Sequence, residues 1–405
     1  MGEPLVVIGN GMAATRFVDE LMQNALGRYS VIVVGAEPRL SYNRVLLSSL
    51  LAGEIDEAAI ELKPREWWSG RGVTTLDGQA VVSIERASQT VTLANGLSFP
   101  YSKLVLATGS QPIMLAKPGM DLQNVLSFRD LADVAAMRGL MRKGARAVVI
   151  GGGLLGLEAA YGLAKAGVKV TLVHLMDRLM ERQLDQRAAA LLTHAIAAKG
   201  VEVLLGADTK QVLGEDRVTG LELNCGRIVQ SDFVVCAVGI RPRAQLARDA
   251  GLTVNRGIIV DDGLATSDPN VFAIGECAEH RGVVYGLVEP AYEQAKVLAR
   301  KLSGDSSASY AGSILATNLK VSGVSLFSAG EFMESSSNDV LLFEDHGTGV
   351  YKKLVIENDR LKGAVLFGDT ADGLWYQGLI REGADVSHLR DVLAFGPALA
   401  LPQAA

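Results

Sequence analysis

The fold class follows from two similar stretches of sequence, PLVVIGNGMAA at residues 4–14 and AVVIGGGLLG at residues 147–156. Each is a short, apolar, β-branched run that leads into glycines and then into a helix-like segment. Each is followed by a second apolar run, at residues 30–35 and 168–174. This order predicts a β–α–β unit twice in one chain, and therefore two parallel sheets with helices packed on them.

The glycines of each repeat have separate physical tasks. Gly9 and Gly151 allow the sharp turn out of the strand, and Gly11 and Gly153 allow the backbone to approach a pyrophosphate. A third, small residue lets helix and strand pack closely; it is Ala13 or Ala14 in the first unit and Gly156 in the second. The helix then presents free N–H groups to the phosphates. Both repeats are therefore predicted to bind a dinucleotide, although ordinary glycine turns in a parallel sheet are the alternative.

An acidic residue at the end of the second strand binds a ribose hydroxyl in such units. Glu37 has this place in the first unit, with a plain surface glutamate as the alternative. His174 has it in the second unit, so we expect no carboxylate there to repel a 2′-phosphate. Arg178 and Arg182 lie downstream and either attract such a phosphate or are solvated surface residues. The choice between NADH and NADPH stays open at this point.

Three further segments fit between and after the repeats. Residues 104–110 and 233–242 each read as a buried strand that ends in a turn of small residues. Residues 266–276 read as a turn, a short strand and then Gly275-Glu276, and residues 288–302 have a helical pattern. An acid at a strand end accepts a hydrogen bond from a sugar-like hydroxyl, so Glu276 is a candidate site residue.

The composition changes after residue 303. Residues 303–309 read as a loop, and residues 340–343, 351–357 and 361–367 alternate as strands. The Asn358-Asp359 pair predicts a hairpin, and residues 370–383 look helical. We therefore expect a discontinuous first domain at 1–113 and 240–308, a second at 114–239, and a C-terminal α+β domain at 309–405.

Bulk properties exclude several classes of protein. The 39 basic and 45 acidic residues give a net charge of −6, which argues against nucleic-acid binding. No apolar run approaches the roughly 20 residues that span a bilayer, and because the N-terminus runs directly into a strand we expect no signal peptide. Cys225, Cys236 and Cys277 lack the spacing for zinc or an iron–sulfur cluster and suit a reducing cytoplasm, so no metal is expected.

Taken together, these segments resemble the flavoproteins with two dinucleotide-binding domains, which include ferredoxin and rubredoxin reductases. The narrower resemblance is to the N-terminal flavoprotein module of the assimilatory NAD(P)H nitrite reductase large subunit and to nitrate reductase electron-transfer subunits. The segments that carry it are residues 35–38, 42–44, 47–48, 179–185, 275–280, 285–288 and 319–324. The resemblance implies an α/β fold with two Rossmann-like domains, for FAD and NAD, and a C-terminal α+β domain.

The same resemblance implies a map of the site. The residues expected along FAD are Gly9, Gly11, Met12, Ala13, Glu37, Pro38, Arg44, Ser48, Val81, Ala107, Thr108, Gly109, Arg129, Gly275, Glu276 and Val288. The residues expected along NAD(P)H are Gly151, Gly153, Leu154, Leu155, Gly156, Glu158, His174 and Gly239. No side chain is assigned a certain catalytic role, because the chemistry is centred on the flavin; Glu158 is the one candidate.

The implied function is a reductase that takes a hydride from NAD(P)H, with NADH favoured and NADPH possible, and gives electrons to a protein acceptor. The acceptor would be an iron–sulfur protein of nitrite or nitrate assimilation, a ferredoxin or a rubredoxin. The reductase itself would be a monomer or a homodimer. Related disulfide and peroxide reductases carry redox cysteines in the region of residues 43–51, where this chain has none. The lysine that some relatives have at Ser49 is also missing. A free-standing NADH oxidase or diaphorase, or a flavin-bound regulatory protein, are the alternatives.

Overall fold

A computed structural model describes residues 2–321 and 324–400. Ser322 and Gly323, which belong to one of the segments that carry the resemblance, and the last residues of the predicted C-terminal domain, 401–405, lie outside the described residues. Within the described part, no helix is long and apolar enough to cross a bilayer.

The strands are β1 (Glu3–Ile8), β2 (Tyr29–Gly35), β3 (Thr74–Asp77), β4 (Val81–Glu85), β5 (Thr90–Leu93), β6 (Ser98–Pro100), β7 (Lys103–Leu106), β8 (Ser110–Pro112), β9 (Val125–Ser127), β10 (Arg146–Ile150), β11 (Lys169–Val173), β12 (Val201–Leu204), β13 (Thr209–Gly214), β14 (Val218–Leu223), β15 (Ile228–Gln230), β16 (Phe233–Cys236), β17 (Ile240–Pro242), β18 (Ile258–Val260), β19 (Val271–Ala273), β20 (Ala278–His280), β21 (Ala316–Val321), β22 (Val324–Gly330), β23 (Asp339–Asp345), β24 (Val350–Glu357) and β25 (Arg360–Phe367). The α-helices are α1 (Met12–Asn24), α2 (Leu47–Leu51), α3 (Arg65–Ser69), α4 (Leu131–Leu140), α5 (Leu154–Lys165), α6 (Gln186–Ala198), α7 (Gln245–Asp249), α8 (Val288–Leu302), α9 (Gly373–Glu382) and α10 (Pro397–Ala400).

The chain divides into two compact units. The first comprises Met1–Leu47, Ile55–Gln111 and Ile240–Ser313, and the second comprises Ser48–Glu54, Pro112–Gly239 and Ile314–Ala405. The predicted boundaries of three domains stay a prediction, because the second unit holds both the second repeat and the C-terminal segment.

The first unit is built on a five-stranded parallel sheet with the strand order β19-β7-β1-β2-β3. Its centre is β1, where Leu5 to Ile8 are all buried, as expected of a β-branched run covered on both faces. Helices α1 and α8 pack on this sheet and on each other through small and apolar side chains at helical spacing. A three-stranded antiparallel sheet, β4-β5-β6, is inserted before β7.

The second unit repeats this arrangement with a parallel sheet in the order β12-β11-β10-β16-β9. The central strand β10 is again buried from Ala147 to Ile150, and α5 follows it directly. A second antiparallel insertion, β13-β14-β15, precedes β16. The prediction of two β–α–β units on parallel sheets is therefore confirmed.

The C-terminal part of the second unit is a five-stranded antiparallel sheet in the order β21-β22-β25-β24-β23. The predicted hairpin is confirmed, because Asn358 and Asp359 join β24 to β25 with φ of 50° and 57°. Helix α9 packs on β22 and β25 and ends at Gly383, whose φ of 58° gives a left-handed C-cap. The α+β character of this segment follows from the hairpin and the helix that covers it.

Candidate dinucleotide-binding sites

The first glycine turn requires glycine for a steric reason. Gly9 has a φ of 112°, and a Cβ atom on it would lie 2.1 Å from the carbonyl oxygen of Ala107. Gly11 is the N-cap of α1, and no atom lies within 4 Å of the position of its Cβ. The first turn of α1, which begins with Met12, contains no acidic residue. This end of the helix is therefore open and suited to a phosphate group.

The second glycine turn has the same construction. Gly151 has a φ of 116°, and its Cβ would lie 2.3 Å from the carbonyl oxygen of Ala237. A Cβ on Gly156 would lie 1.9 Å from the carbonyl oxygen of Gly151, so only glycine allows α5 to approach the turn. Gly153 is the N-cap of α5 with open space beside it, and the helix begins with Leu154 and Leu155 without an acid in its first turn.

Glu37 lies just after β2 and is held by two neighbours that sequence reasoning did not pair with it. Its carboxylate accepts a hydrogen bond of 2.6 Å from the Tyr42 hydroxyl and forms an ion pair with the Arg44 guanidinium. Burial alone would raise the pKa of Glu37, but the Arg44 charge and both hydrogen bonds outweigh it and lower the pKa below 4.5. The backbone carbonyl of Glu37 accepts from Gly78 N–H, and Pro38 packs against Gly78. The group is thus an ionised carboxylate with lone pairs left for a ligand hydroxyl.

The turn after β7 is fixed by a partner far along the chain. The Thr108 hydroxyl donates to the carbonyl oxygen of Arg243 at 2.6 Å, and Gly109, with a φ of 68°, accepts from the Arg243 N–H at 2.9 Å. Ala107 precedes this turn, and its backbone carbonyl oxygen is the atom that leaves no room for a side chain at Gly9. The structure therefore brings residues 107–109 against the first glycine turn, as the predicted site map requires.

Gly275 and Glu276 also belong to this cluster. Gly275 has a φ of 79°, and its Cβ would lie 3.0 Å from the Cβ atom of Ala13 in α1. The Glu276 carboxylate accepts a 2.7 Å hydrogen bond from the Ser110 hydroxyl, a contact between residues 166 positions apart. Val288 is the first residue of α8. The start of α1, the turn at 275–276 and the turn at 107–109 thus form one region of the first unit.

The remaining predicted residues belong to other elements. Val81 begins β4 in the antiparallel insertion of the first unit. Ser48 lies in α2 and Arg129 lies before α4, and both belong to the second unit. Gly239 ends the second unit's segment with a φ of 132°, and its carbonyl accepts from Ile113 N–H. Their assignment to a dinucleotide stays a prediction.

The strand end at β11 differs from the expectation. His174 is buried, its Nδ1 accepts a 3.0 Å hydrogen bond from Gly152 N–H, and its Nε2 lies 3.2 Å from the Glu181 carboxylate. A carboxylate is thus present next to the strand end, supplied by the following loop. Arg178 pairs with Asp177 and donates to the backbone carbonyl oxygen of Glu181, and Arg182 lies 3.9 Å from the Glu181 carboxylate. Sequence reasoning missed Glu181 because no local pattern links it to position 174.

Glu158 lies in the second turn of α5 with its side chain partly exposed. Burial of the carboxyl group raises its pKa to about 7. Burial is the cause of this rise in pKa, and no lysine or arginine charge contributes to the shift in the opposite direction. Glu158 is therefore a carboxyl group that exchanges a proton near neutral pH.

The three cysteines differ in their exposure to solvent. Cys277 is fully buried with its thiol directed at the carbonyl oxygens of Leu106 and Ile274, and burial raises the pKa of this thiol. Cys236 is buried and Cys225 is exposed. Across residues 2–321 and 324–400, no cluster of ligating side chains fits a metal ion.

Two helix ends that are open, free of acid and preceded by a positive-φ glycine define the class of the protein: a protein with two cradles, each suited to the pyrophosphate of a dinucleotide. The chain belongs to the family described as pyridine nucleotide-disulphide oxidoreductase, whose model matches residues 3–295. Residues 316–384 match the model of the rubredoxin NAD+ reductase C-terminal domain.

Individual relatives agree with this family. The chain is 43% identical over 393 residues to a nitrite reductase [NAD(P)H] of Bacillus subtilis, covering 97% of this chain and 49% of the relative. It is 41% identical to the assimilatory nitrate reductase electron transfer subunit of the same organism, covering 91% and 48%. The chain therefore spans about half the length of these relatives. Its structure is similar to that of the covalent putidaredoxin reductase–putidaredoxin complex, with a TM-score of 0.86, 25% identity and coverage of 97% and 99%.

Proposed function

We propose that this chain is the NAD(P)H-oxidising, FAD-dependent half of an electron-transfer system that delivers electrons to a separate redox centre. The observation that carries the proposal is the presence of two glycine cradles, each with an open, acid-free helix N-terminus, in one chain. Bound FAD would accept a hydride from the nicotinamide and release electrons to an acceptor, so the protein's own task is to bind and orient.

The first unit would hold FAD. Its pyrophosphate would lie at Gly9, Gly11 and the start of α1, where a bound phosphate meets free N–H groups and no side chain. Glu37 would accept a hydrogen bond from the adenosine ribose. Glu276, already fixed by the Ser110 hydroxyl, would accept one from the sugar-like chain of the flavin.

The second unit would hold NAD(P)H. Gly151, Gly153 and the start of α5 would receive its pyrophosphate in the same way. Glu158, one turn further along α5, would lie on the nicotinamide side and hold or release a proton near pH 7. Because the reaction needs no obligatory side-chain acid, we assign Glu158 a role in setting the local charge.

The electrons would leave through a protein partner. The segment 43–51, where disulfide and peroxide reductases carry cysteine, has none, and Cys277 is fully buried. The relatives named nitrite reductase and nitrate reductase electron transfer subunit favour an iron–sulfur partner in nitrite or nitrate assimilation, with a ferredoxin or rubredoxin as the wider class. The three cysteines form no disulfide with one another, which supports a cytoplasmic location.

The test compares acceptors under one set of conditions. The FAD-loaded protein is mixed with NADH and, in separate assays, with oxidised ferredoxin, oxidised rubredoxin and dissolved oxygen. We expect at least one protein carrier to be reduced faster than oxygen. Oxygen consumption as the fastest reaction would instead support an NADH oxidase, and slow reaction with every acceptor would support a regulatory flavoprotein.

A further inference from the structure

Two hydrogen bonds connect the segment 174–180, after β11, to Gly152 in the second glycine turn. Gly152 N–H donates to His174 Nδ1 at 3.0 Å, and Met180 N–H donates to the Gly152 carbonyl oxygen at 3.0 Å. Leu179 and Met180 are fully buried beside this turn. The position of Glu181, the next residue, is therefore fixed relative to the glycines that would receive the pyrophosphate.

The hydrogen bonds also fix the proton on the histidine ring. A backbone N–H can only donate, so Nδ1 of His174 is the acceptor and the ring proton lies on Nε2. Nε2 then donates to the Glu181 carboxylate, 3.2 Å away. His174 is thus a positioning residue: it occupies the place of the usual strand-end acid and holds another carboxylate next to it.

We propose that Glu181 sets the choice of nicotinamide cofactor, by accepting a hydrogen bond from the ribose 2′-hydroxyl of NADH and repelling the 2′-phosphate of NADPH. This inference rests on the proposed function, because it assumes that the second unit binds NAD(P)H. A strand-end carboxylate does this work in NAD-binding units generally, and here it reaches the site from residue 181 in place of residue 174.

The surrounding charges agree with a site for a neutral ribose. Arg178 pairs with Asp177 and donates to the backbone carbonyl of Glu181, so both of these bonds hold the loop together. Arg182 is largely exposed, at 86%, with its Nε 3.9 Å from the Glu181 carboxylate. Arg178 is therefore engaged within its own loop and Arg182 is mostly surrounded by solvent, which leaves Glu181 as the charged group held next to the strand end.

Binding measurements on the FAD-loaded protein test the inference without relying on turnover. Dissociation constants for NAD+ and NADP+ are measured by isothermal titration calorimetry for the wild type, Glu181→Gln and Glu181→Arg. We expect Glu181→Gln to shift the NADP+/NAD+ affinity ratio toward NADP+ by about tenfold, equivalent to about 1.4 kcal/mol. Glu181→Arg should shift it further in the same direction, because the like charge is replaced by an opposite one.

The control is Glu215→Gln, which removes the same charge from an exposed side chain of the same unit, in the turn between β13 and β14. Its affinity ratio should stay at the wild-type value. An unchanged ratio in both Glu181 variants, or an equal shift in the control, overturns the inference while NAD+ binding by the wild type leaves the proposed function intact. If the wild type binds neither dinucleotide, the proposed function itself fails.

Discussion

Replacing Glu158 by glutamine removes a carboxyl group whose burial in α5 opposes its ionisation. Its pKa is about 7 in the folded protein against an ordinary value of 4.5. At 1.36 kcal/mol per pKa unit this difference corresponds to about 3.4 kcal/mol. Since the side chain is partly exposed and solvent screens the effect, we expect about 2 kcal/mol.

The direction of the pH dependence follows from proton binding. Between pH 4.5 and 7 the folded protein keeps the Glu158 proton and the unfolded chain loses it. The free energy of unfolding therefore falls as the pH rises through this window, and the loss is complete above about pH 7. Glutamine carries no charge at any pH, so Glu158→Gln should be more stable than the wild type at pH 8 and nearly equal to it at pH 4.5.

Thermal unfolding of the FAD-loaded protein measures this difference. A gain of about 2 kcal/mol corresponds to a rise in Tm of about 4–8 °C for a unit of this size. The control is Glu215→Gln, in the exposed loop between β13 and β14, which should leave Tm unchanged at both pH values. Equal Tm values for wild type and Glu158→Gln at pH 8 would refute the assigned environment of this carboxyl group.

Four further substitutions test the cradles and the C-terminal segment. In Gly156→Ala the new methyl group would lie 1.9 Å from a backbone carbonyl, so NAD+ affinity measured by calorimetry should fall at least about tenfold while FAD is kept. In Gly11→Ala the methyl group meets no protein atom within 4 Å, so the apoprotein should keep its Tm while FAD affinity falls; unchanged FAD affinity would move the pyrophosphate elsewhere. Glu37→Ala should raise the Kd for FAD about tenfold through loss of a charged hydrogen bond, as measured by fluorescence titration. Lys353→Met should lower the free energy of urea unfolding by about 3 kcal/mol, because the lysine is buried and contacts two carboxylates. The control is Lys362→Met at an exposed lysine, which should cost less than about 1 kcal/mol. Equal losses in the two variants would contradict the buried pairing.

The parts of the fold that local sequence determines were predictable. Residues 288–302 were expected to be helical, and α8 has these bounds, because its apolar residues recur at helical spacing. The glycine turns and the Asn358-Asp359 hairpin also follow from local conformational preference. The two antiparallel insertions, β4-β5-β6 and β13-β14-β15, were not predicted; β4, β6 and β15 are short and mostly exposed, whereas β13 and β14 have six residues each.

The contacts that complete the candidate sites depend on residues far apart in the chain. Ser110 meets Glu276 because the adjacent parallel strands β7 and β19 end at the same edge, and Thr108 meets the backbone of Arg243 because β8 pairs with β17. Glu181 reaches His174 because the loop turns back onto Gly152. Such pairings arise from tertiary packing, so a single sequence shows the residue types without showing which of them meet.

Anaerobic mixing of the FAD-loaded protein with NADH tests the central claim most directly. We predict that the visible absorbance of the oxidised flavin is lost completely on a single mixing. We also predict that a Gly151→Ala variant, whose methyl group would lie 2.3 Å from a backbone carbonyl in the NAD(P)H cradle, retains FAD but loses this fast reaction. A wild-type protein that stays colourless with added FAD, or that binds FAD and keeps its absorbance in the presence of both NADH and NADPH, would contradict the account.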